Sequence, residues 1–154
     1  MKIILLISIV FLLFGCSNIS NVAKNPPLVN LVVQQDKYSL VFKNQFYNNF
    51  ETYDKSLAEF IVETKLSFNT SDALSSNGSN ELNIVKGTVD FKIFDKINSK
   101  IIKTGSISSS INTGSVSSLY SVDENNNFAK ERIAKYLASK LYRKILLNSY
   151  TSEN

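Results

Sequence analysis

The feature that most constrains the fold of this chain is a long amphipathic stretch near its C-terminus. Five apolar residues recur there at steps of four, which places them on one stripe of a helix: Ala129, Ile133, Leu137, Leu141 and Ile145. Three further residues are expected to widen the stripe: Phe128, Tyr136 and Leu146. Acidic Asp123 and Glu124 at the start, and basic Arg143 and Lys144 near the end, suit the helix dipole. The pattern predicts a helix over 123–148 whose apolar stripe must be covered by another layer.

The outer face of this predicted helix is basic. Six cationic side chains lie on it against the single acid Glu131: Lys130, Arg132, Lys135, Lys140, Arg143 and Lys144. A solvated helix face is the simpler interpretation, and a surface for an anionic ligand is the alternative.

The middle of the chain alternates between apolar and polar residues, as half-buried strands do. Three such strands are predicted: Ala58 to Asn69, Leu82 to Phe94 and Ile101 to Ile111. A bulge or a twist at the strand end is expected near Ile84, where the alternation of the second strand changes phase. Turn residues Asp95 to Lys100 predict a hairpin between the second and third strands. Ser/Asn-rich segments predict loops over 70–81 and 112–122.

A strand and a second helix precede this sheet. Leu28 to Gln34 predicts a first strand, with an extended tether as the alternative. Five large apolar residues at steps of four and three then predict a helix capped by Asp36: Phe42, Phe46, Phe50, Tyr53 and Leu57. Tyr38, Leu40 and Phe42 also alternate, which leaves a strand open at the helix start.

The element order is therefore β-α-β-β-β-α. We expect an α+β two-layer sandwich with both helices on one face of a four-stranded, mostly antiparallel sheet. In that arrangement the N-terminal tether, the 95–100 turn and the C-terminus lie at one end. The two Ser/Asn-rich loops lie at the other.

The N-terminus predicts export. Lys2, an apolar run from Ile3 to Phe14, and Gly15 match a signal peptide, and the run is short for a bilayer span. Leu-Phe-Gly before Cys16 resembles the lipobox of bacterial lipoproteins, which implies cleavage before Cys16 and its acylation, palmitate included. A plain cleaved signal or a membrane stub is the alternative. The predicted organisation is a signal peptide over 1–15, a lipidated tether over 16–27 and a single domain over 28–150.

Composition limits the chemistry. The chain has 17 Lys and Arg against 13 Asp and Glu, which is too mild a balance to indicate nucleic-acid binding. Histidine is absent and Cys16 is the only cysteine, so catalytic triads and zinc sites are excluded, and no metal or other cofactor is expected. A carboxylate-based hydrolase would need two of six acids to pair: Glu51, Asp54, Glu59, Glu63, Asp90 and Asp95. No motif brings two of them together, so we expect no enzyme activity.

Several stretches together resemble the lipopolysaccharide-assembly lipoprotein LptE family, in its alphaproteobacterial form. They are the lipobox, Phe42-Lys-Asn-Gln-Phe-Tyr-Asn-Asn-Phe50, Val89-Asp-Phe-Lys-Ile-Phe-Asp95, Lys103-Thr-Gly105 and Phe128-Ala-Lys-Glu-Arg-Ile-Ala-Lys-Tyr-Leu137. Ser17-Asn18 follows Cys16 where members of that family commonly have Gly-Phe. The resemblance implies an outer-membrane lipoprotein, facing the periplasm or held in a barrel lumen, that plugs the β-barrel translocon LptD during lipopolysaccharide transport. A non-catalytic auxiliary or scaffold subunit of another envelope complex is the alternative.

One cluster of residues suits a lipopolysaccharide contact. Lipopolysaccharide carries phosphates and acyl chains, so a binding surface needs cations beside apolar groups. Lys96, Lys100 and Lys103 lie around the predicted hairpin with Ile97 and Ile101. The alternative is a turn whose lysines keep a sheet edge soluble.

Overall fold

The computed structural model describes residues 28–50, 54–74, 81–113 and 119–151. The predicted signal peptide, Cys16 and the tether lie outside these ranges. The predictions made for them therefore stay predictions.

The described residues form one sheet and two helices. The elements are β1 (Val29–Val32), α1 (Lys37–Tyr47), a 3-10 turn (Lys55–Leu57), β2 (Phe60–Leu74), β3 (Glu81–Asp95), β4 (Ile101–Asn112) and α2 (Leu119–Thr151). The sheet order is β1-β2-β3-β4, with β1 parallel to β2 and the other neighbours antiparallel. The predicted β-α-β-β-β-α layout and α+β class are confirmed.

The core lies between the helices and one face of the sheet. All five residues of the predicted α2 stripe are buried, and they join Val62 of β2, Val89 of β3 and Ile107 of β4 in one apolar cluster. Phe128 and Tyr136 do not widen this stripe, because they remain 59% and 56% exposed. Each precedes a stripe residue by one position, about 100° around the helix, which turns it outward.

Helix α1 begins at the predicted cap. The Asp36 carboxylate accepts hydrogen bonds from the backbone N–H groups of Tyr38 and Ser39, both at 3.0 Å. These bonds satisfy two of the N–H groups that a helix start leaves without partners. The segment from Tyr38 to Phe42 is therefore helical, which rules out the alternative strand.

The helix ends earlier than the aromatic stripe predicts. Asn49 Nδ2 donates to the carbonyl oxygens of Gln45 and Phe46, at 2.7 and 3.1 Å, and so satisfies part of the last turn. Phe50 is still buried beyond this end, whereas Leu57 lies in the 3-10 turn and is 62% exposed. The prediction that Leu57 continues the helical stripe is wrong, and Tyr53 lies outside the described residues.

The hairpin of β2 and β3 is longer than predicted. Its pairing continues from Thr70↔Val85 to Leu74↔Glu81, in a segment that we predicted to be a loop. Strand pairing uses backbone groups, so it can extend through polar residues once the register is fixed. Ile84 pairs regularly with Ser71 and Asn112, so the bulge that we offered as one explanation near Ile84 is wrong. The irregularity lies between Ile93 and Phe94 instead.

The two ends of the domain differ as predicted. Because β1 and β2 are parallel and joined by α1, Leu28 and the 96–100 turn lie at one end, which we call the tether end. Helix α2 begins near the opposite end, after β4, whereas α1 begins beside the middle of β2, where the Tyr38 ring packs on Phe68 and Tyr38 Oη donates to Asn127 Oδ1 at 2.7 Å. Helix α2 then runs back toward the tether end.

Candidate functional site

The turn between β3 and β4 is fixed by the Asp95 side chain. Asp95 Oδ1 accepts hydrogen bonds from the N–H groups of Ile97 and Asn98, at 2.8 and 3.0 Å. The Asp95 N–H donates to the Lys100 carbonyl at 3.0 Å, and Ser99 takes a left-handed φ of 51°. Such local carboxylate bonds are typical of tight turns. They give the turn a defined shape from which its other side chains project.

These bonds also keep the Asp95 carboxylate charged. The backbone N–H groups of Asn98 and Ile97 hold the pKa of Asp95 below its ordinary value. The carboxylate points into the turn, where its negative charge strengthens the hydrogen bonds from the two backbone N–H groups.

Three isoleucines lie exposed at this turn. Ile97 is 90% exposed, and Ile101 and Ile102 are 51% and 52% exposed. At these exposures they contribute little to the hydrophobic core. Exposed apolar groups this near one another in the chain are candidates for a contact surface.

Each of the three predicted lysines is a direct sequence neighbour of one of these isoleucines. Lys96 and Lys100 lie on the two sides of the turn, and Lys103 lies on β4 opposite Ile93. All three are exposed, and Lys96 Nζ donates to the Ser56 carbonyl at 3.3 Å. We call Lys96, Ile97, Lys100, Ile101, Ile102 and Lys103 the hairpin tip.

Sequence reasoning missed one member of the hairpin tip. Ile102 is the extra residue at the irregularity, since Ile93 pairs with Lys103 while Phe94 pairs with Ile101. A regular register cannot accommodate Ile102, and no turn or glycine signal in the sequence marks the position.

The hairpin tip lies beside the point where the chain enters the domain. The Leu28 carbonyl accepts the Glu59 N–H at 3.0 Å, and the Glu59 carbonyl accepts the Lys96 N–H at 3.1 Å. A continuous row of backbone hydrogen bonds therefore joins the first described residue to the turn. Any tether that precedes Leu28 begins next to the hairpin tip.

Two of the carboxylates considered for a hydrolase, Glu63 and Asp90, line the same open depression on the sheet, although no sequence motif brings them together. In the register of β2 and β3, Glu63 lies opposite Lys92 and Asp90 lies opposite Lys65. The depression beside them has a volume of about 630 Å³. Hydrogen bonds from the Ser56 hydroxyl and N–H lower the pKa of Asp54, as the turn bonds do for Asp95. A general acid needs a raised pKa instead. Glu51 lies outside the described residues.

The described ranges contain neither a metal-binding cluster nor a membrane-spanning helix. No group of three or more Cys, Asp or Glu side chains there is arranged to hold a metal ion. No helix among these residues is both long and apolar enough to cross a membrane.

Part of the basic face of α2 makes contacts within the domain. Lys135 pairs with Glu131 at 2.7 Å, and Lys140 Nζ donates to the Ser108 carbonyl at 3.1 Å. The Lys144 ammonium lies 5.4 Å from the Phe91 ring centroid. These contacts favour a structural use for this part of the face.

Comparison with known proteins gives similarity in fold. No family model and no curated protein sequence matches the chain. A protein described as a lipoprotein from Caulobacter crescentus superposes with a TM-score of 0.61 and 17% identity, covering 82% of this chain and 93% of its own. The chain has a bacterial lipoprotein fold. A minor lipoprotein from Acinetobacter baumannii matches with a TM-score of 0.55 and 14% identity, covering 80% and 95% of the two chains. Rare lipoprotein B from Shewanella oneidensis matches with a TM-score of 0.55 and 11% identity, covering 82% of this chain and 99% of its own.

Proposed function

We propose that this chain is an outer-membrane lipoprotein that plugs an LptD-like β-barrel and takes part in lipopolysaccharide transport to the cell surface. Its fold, shared with bacterial lipoproteins, supports an envelope role. The lipobox-like stretch that ends at Cys16 supports anchoring by acyl chains, and more than one chain gives stable attachment. The resemblance of the sequence to the LptE family supports a role in lipopolysaccharide transport in particular.

The hairpin tip is the observation that carries the lipid part of this proposal. A defined turn presents exposed isoleucines beside exposed lysines at one end of the domain. Lipid phosphates accept hydrogen bonds from ammonium groups, and acyl chains favour apolar contact. Lys96, Lys100 and Lys103 are the residues that we propose to contact lipopolysaccharide phosphates.

The uncovered face of the sheet supports a role in fitting against another protein. It carries charged residues paired in register, such as Lys65 with Asp90, and a row of small polar residues on β4 that includes Ser106 and Ser108. A polar face of this kind suits contact with the polar interior of a barrel. In this role the face binds the barrel and does not take part in catalysis.

Depletion of the chain in its native bacterium tests the function. We expect depletion to lower the amount of lipopolysaccharide at the cell surface, and complementation with the native chain to restore it. The Cys16→Ser variant should restore it poorly, because the acylated cysteine is lost. Unchanged surface lipopolysaccharide after depletion would contradict the proposal and favour another envelope complex.

A further inference from the structure

We propose that the hairpin tip rests on the phospholipid surface of the leaflet that holds the acyl anchor, with Ile97 and Ile101 among the lipid headgroups. This inference rests on the predicted acylation of Cys16. It concerns the chain without bound lipopolysaccharide, goes beyond the proposed role in lipopolysaccharide transport and does not require the barrel.

The first argument is the exposure of an aliphatic side chain on a rigid turn. Ile97 is 90% exposed, although the turn around it is fixed by two hydrogen bonds to Asp95. Neighbouring Ile101 and Ile102 are about half exposed. Insertion of such groups at a membrane interface removes apolar surface from water without any change in the fold.

The second argument is the place where the chain enters the domain. Backbone hydrogen bonds join Leu28 to Glu59 and Glu59 to Lys96, so the tether begins beside the tip. The 11 residues between Cys16 and Leu28 span at most roughly 40 Å when fully extended. The 15 residues of β2 extend over roughly 50 Å, so the opposite end of the domain is farther away than the tether can reach. The end closest to the anchoring leaflet is therefore the tip.

The third argument is charge. Lys96, Lys100 and Lys103 are exposed, whereas the Asp95 carboxylate points into the turn and accepts two of its N–H groups. Glu59 is the other acid in the row of backbone hydrogen bonds from Leu28 to Lys96, and it lies one strand away from the turn. Exposed lysines next to apolar groups favour an anionic lipid surface.

A single fluorescent label can test this contact on the complete acylated protein. Cys16 is the only cysteine and its sulfur is acylated in the mature chain, so Asn98→Cys introduces one free thiol beside Ile97. The labelled protein is reconstituted into vesicles of phosphatidylethanolamine and phosphatidylglycerol. The measurement is quenching by aqueous iodide and by brominated phospholipid.

We expect the label at residue 98 to be protected from iodide and quenched by brominated lipid. Tyr120→Cys gives the matched control, since Tyr120 is 77% exposed at the opposite end. Its label should be several-fold more accessible to iodide. Adding Ile97→Ser and Ile101→Ser should remove the protection at residue 98, whereas Leu40→Ser, at a 49% exposed position on α1, should leave it unchanged.

Equal iodide access at residues 98 and 120 would overturn the proposal. Protection that arises only when lipopolysaccharide is added would also overturn it, while supporting the proposed lipopolysaccharide contact. Equal protection in anionic vesicles and in pure phosphatidylcholine would contradict the part assigned to the lysines. Failure of a barrel to co-purify with the chain contradicts the proposed function alone.

Discussion

Gly87 of β3 lies directly beneath Ile133 of α2, so close that residue 87 has no room for a side chain. A Cβ atom at this position would overlap Ile133 Cγ2 and would lie 3.1 Å from Phe68 Cε1 and 3.3 Å from Leu137 Cδ1. The long helix thus reaches the sheet through a glycine. The close approach of the two layers at this point therefore requires glycine at residue 87.

Replacement of Gly87 should test that contact. Gly87→Ala is expected to lower the free energy of unfolding by about 1–3 kcal/mol, because the added methyl group overpacks the helix–sheet contact. Reduced entropy of the unfolded chain offsets only about 0.4–1 kcal/mol. Urea unfolding measures the change, with Ser106→Ala on the open face of β4 as the control. A Gly87→Ala protein as stable as the native one would contradict this packing.

Phe46 lies at the centre of the aromatic part of the core. It is fully buried, and its ring centroid lies 5.5 Å from that of Phe50 and 6.2 Å from that of Tyr142. Phe46→Ala should cost about 3–5 kcal/mol of stability, since it removes apolar contacts and leaves a cavity. Leu57→Ala is the matched control, because Leu57 is 62% exposed and should change stability by only about 0.5 kcal/mol. Equal losses in thermal unfolding would show that the core is elsewhere.

The Asp36 cap should make stability depend on pH in acid. Burial raises the pKa of Asp36, but hydrogen bonds from the Ser39 hydroxyl and from the N–H groups of Ser39 and Tyr38 lower it by more. Because the folded pKa lies below the ordinary value of 3.8, the stabilisation is complete above that pH. It is lost as the pH falls through the lower folded pKa.

Two substitutions separate the cap from its charge. Asp36→Ala should cost about 1 kcal/mol near neutral pH, because the N–H groups at the helix start lose their acceptor. Asp36→Asn keeps an acceptor and should cost less, while it removes the acid dependence that residue 36 contributes. Chemical unfolding at about pH 3 and about pH 6, which lie on either side of the ordinary carboxyl pKa, measures the loss of stability and its acid dependence. An Asp36→Asn protein with the native acid dependence would contradict the assignment.

Helical periodicity predicted α2 well and α1 only in part. The five stripe residues from Ala129 to Ile145 are all buried, because this part of α2 packs on the apolar core. In α1 the same kind of stripe overestimated the length of the helix. The Asn49 side chain ends this helix by donating hydrogen bonds to carbonyls of its last turn. A pattern of apolar residues does not include Asn49 and so does not show where the helix ends.

The sheet shows a similar limit. Alternation located the three long strands, but polar composition placed the end of β2 too early. Thr70 to Leu74 pair with β3 although they have the composition of a loop. Backbone pairing supplies the hydrogen bonds there, and composition does not report it.

The candidate site was predictable in its members but not in its detail. Lys96, Lys100 and Ile97 were expected to surround a hairpin, and they do. The exposure of Ile102 follows from a register shift that depends on how β3 and β4 meet at the turn. Contacts across the sheet decide that shift, so local sequence does not.

The lysines of the hairpin tip should contribute to lipopolysaccharide binding. Lys96→Ala, Lys100→Ala and Lys103→Ala combined should weaken binding by up to about 3 kcal/mol, at about 1 kcal/mol for each lysine near an anionic lipid surface. That corresponds to a loss of up to about two orders of magnitude in affinity. Binding to purified lipopolysaccharide measures it, with Lys37→Ala, Lys43→Ala and Lys130→Ala combined as a control of equal charge change. Equal losses in the two triple variants would indicate only nonspecific attraction.

The most direct test of the account is purification of the native acylated chain from its own membranes in several mild detergents, followed by identification of what accompanies it. We predict that an LptD-like outer-membrane β-barrel is recovered with the chain in stoichiometric amount. Recovery of the chain alone in every detergent, or together with an inner-membrane complex, would contradict the proposed role as a barrel plug.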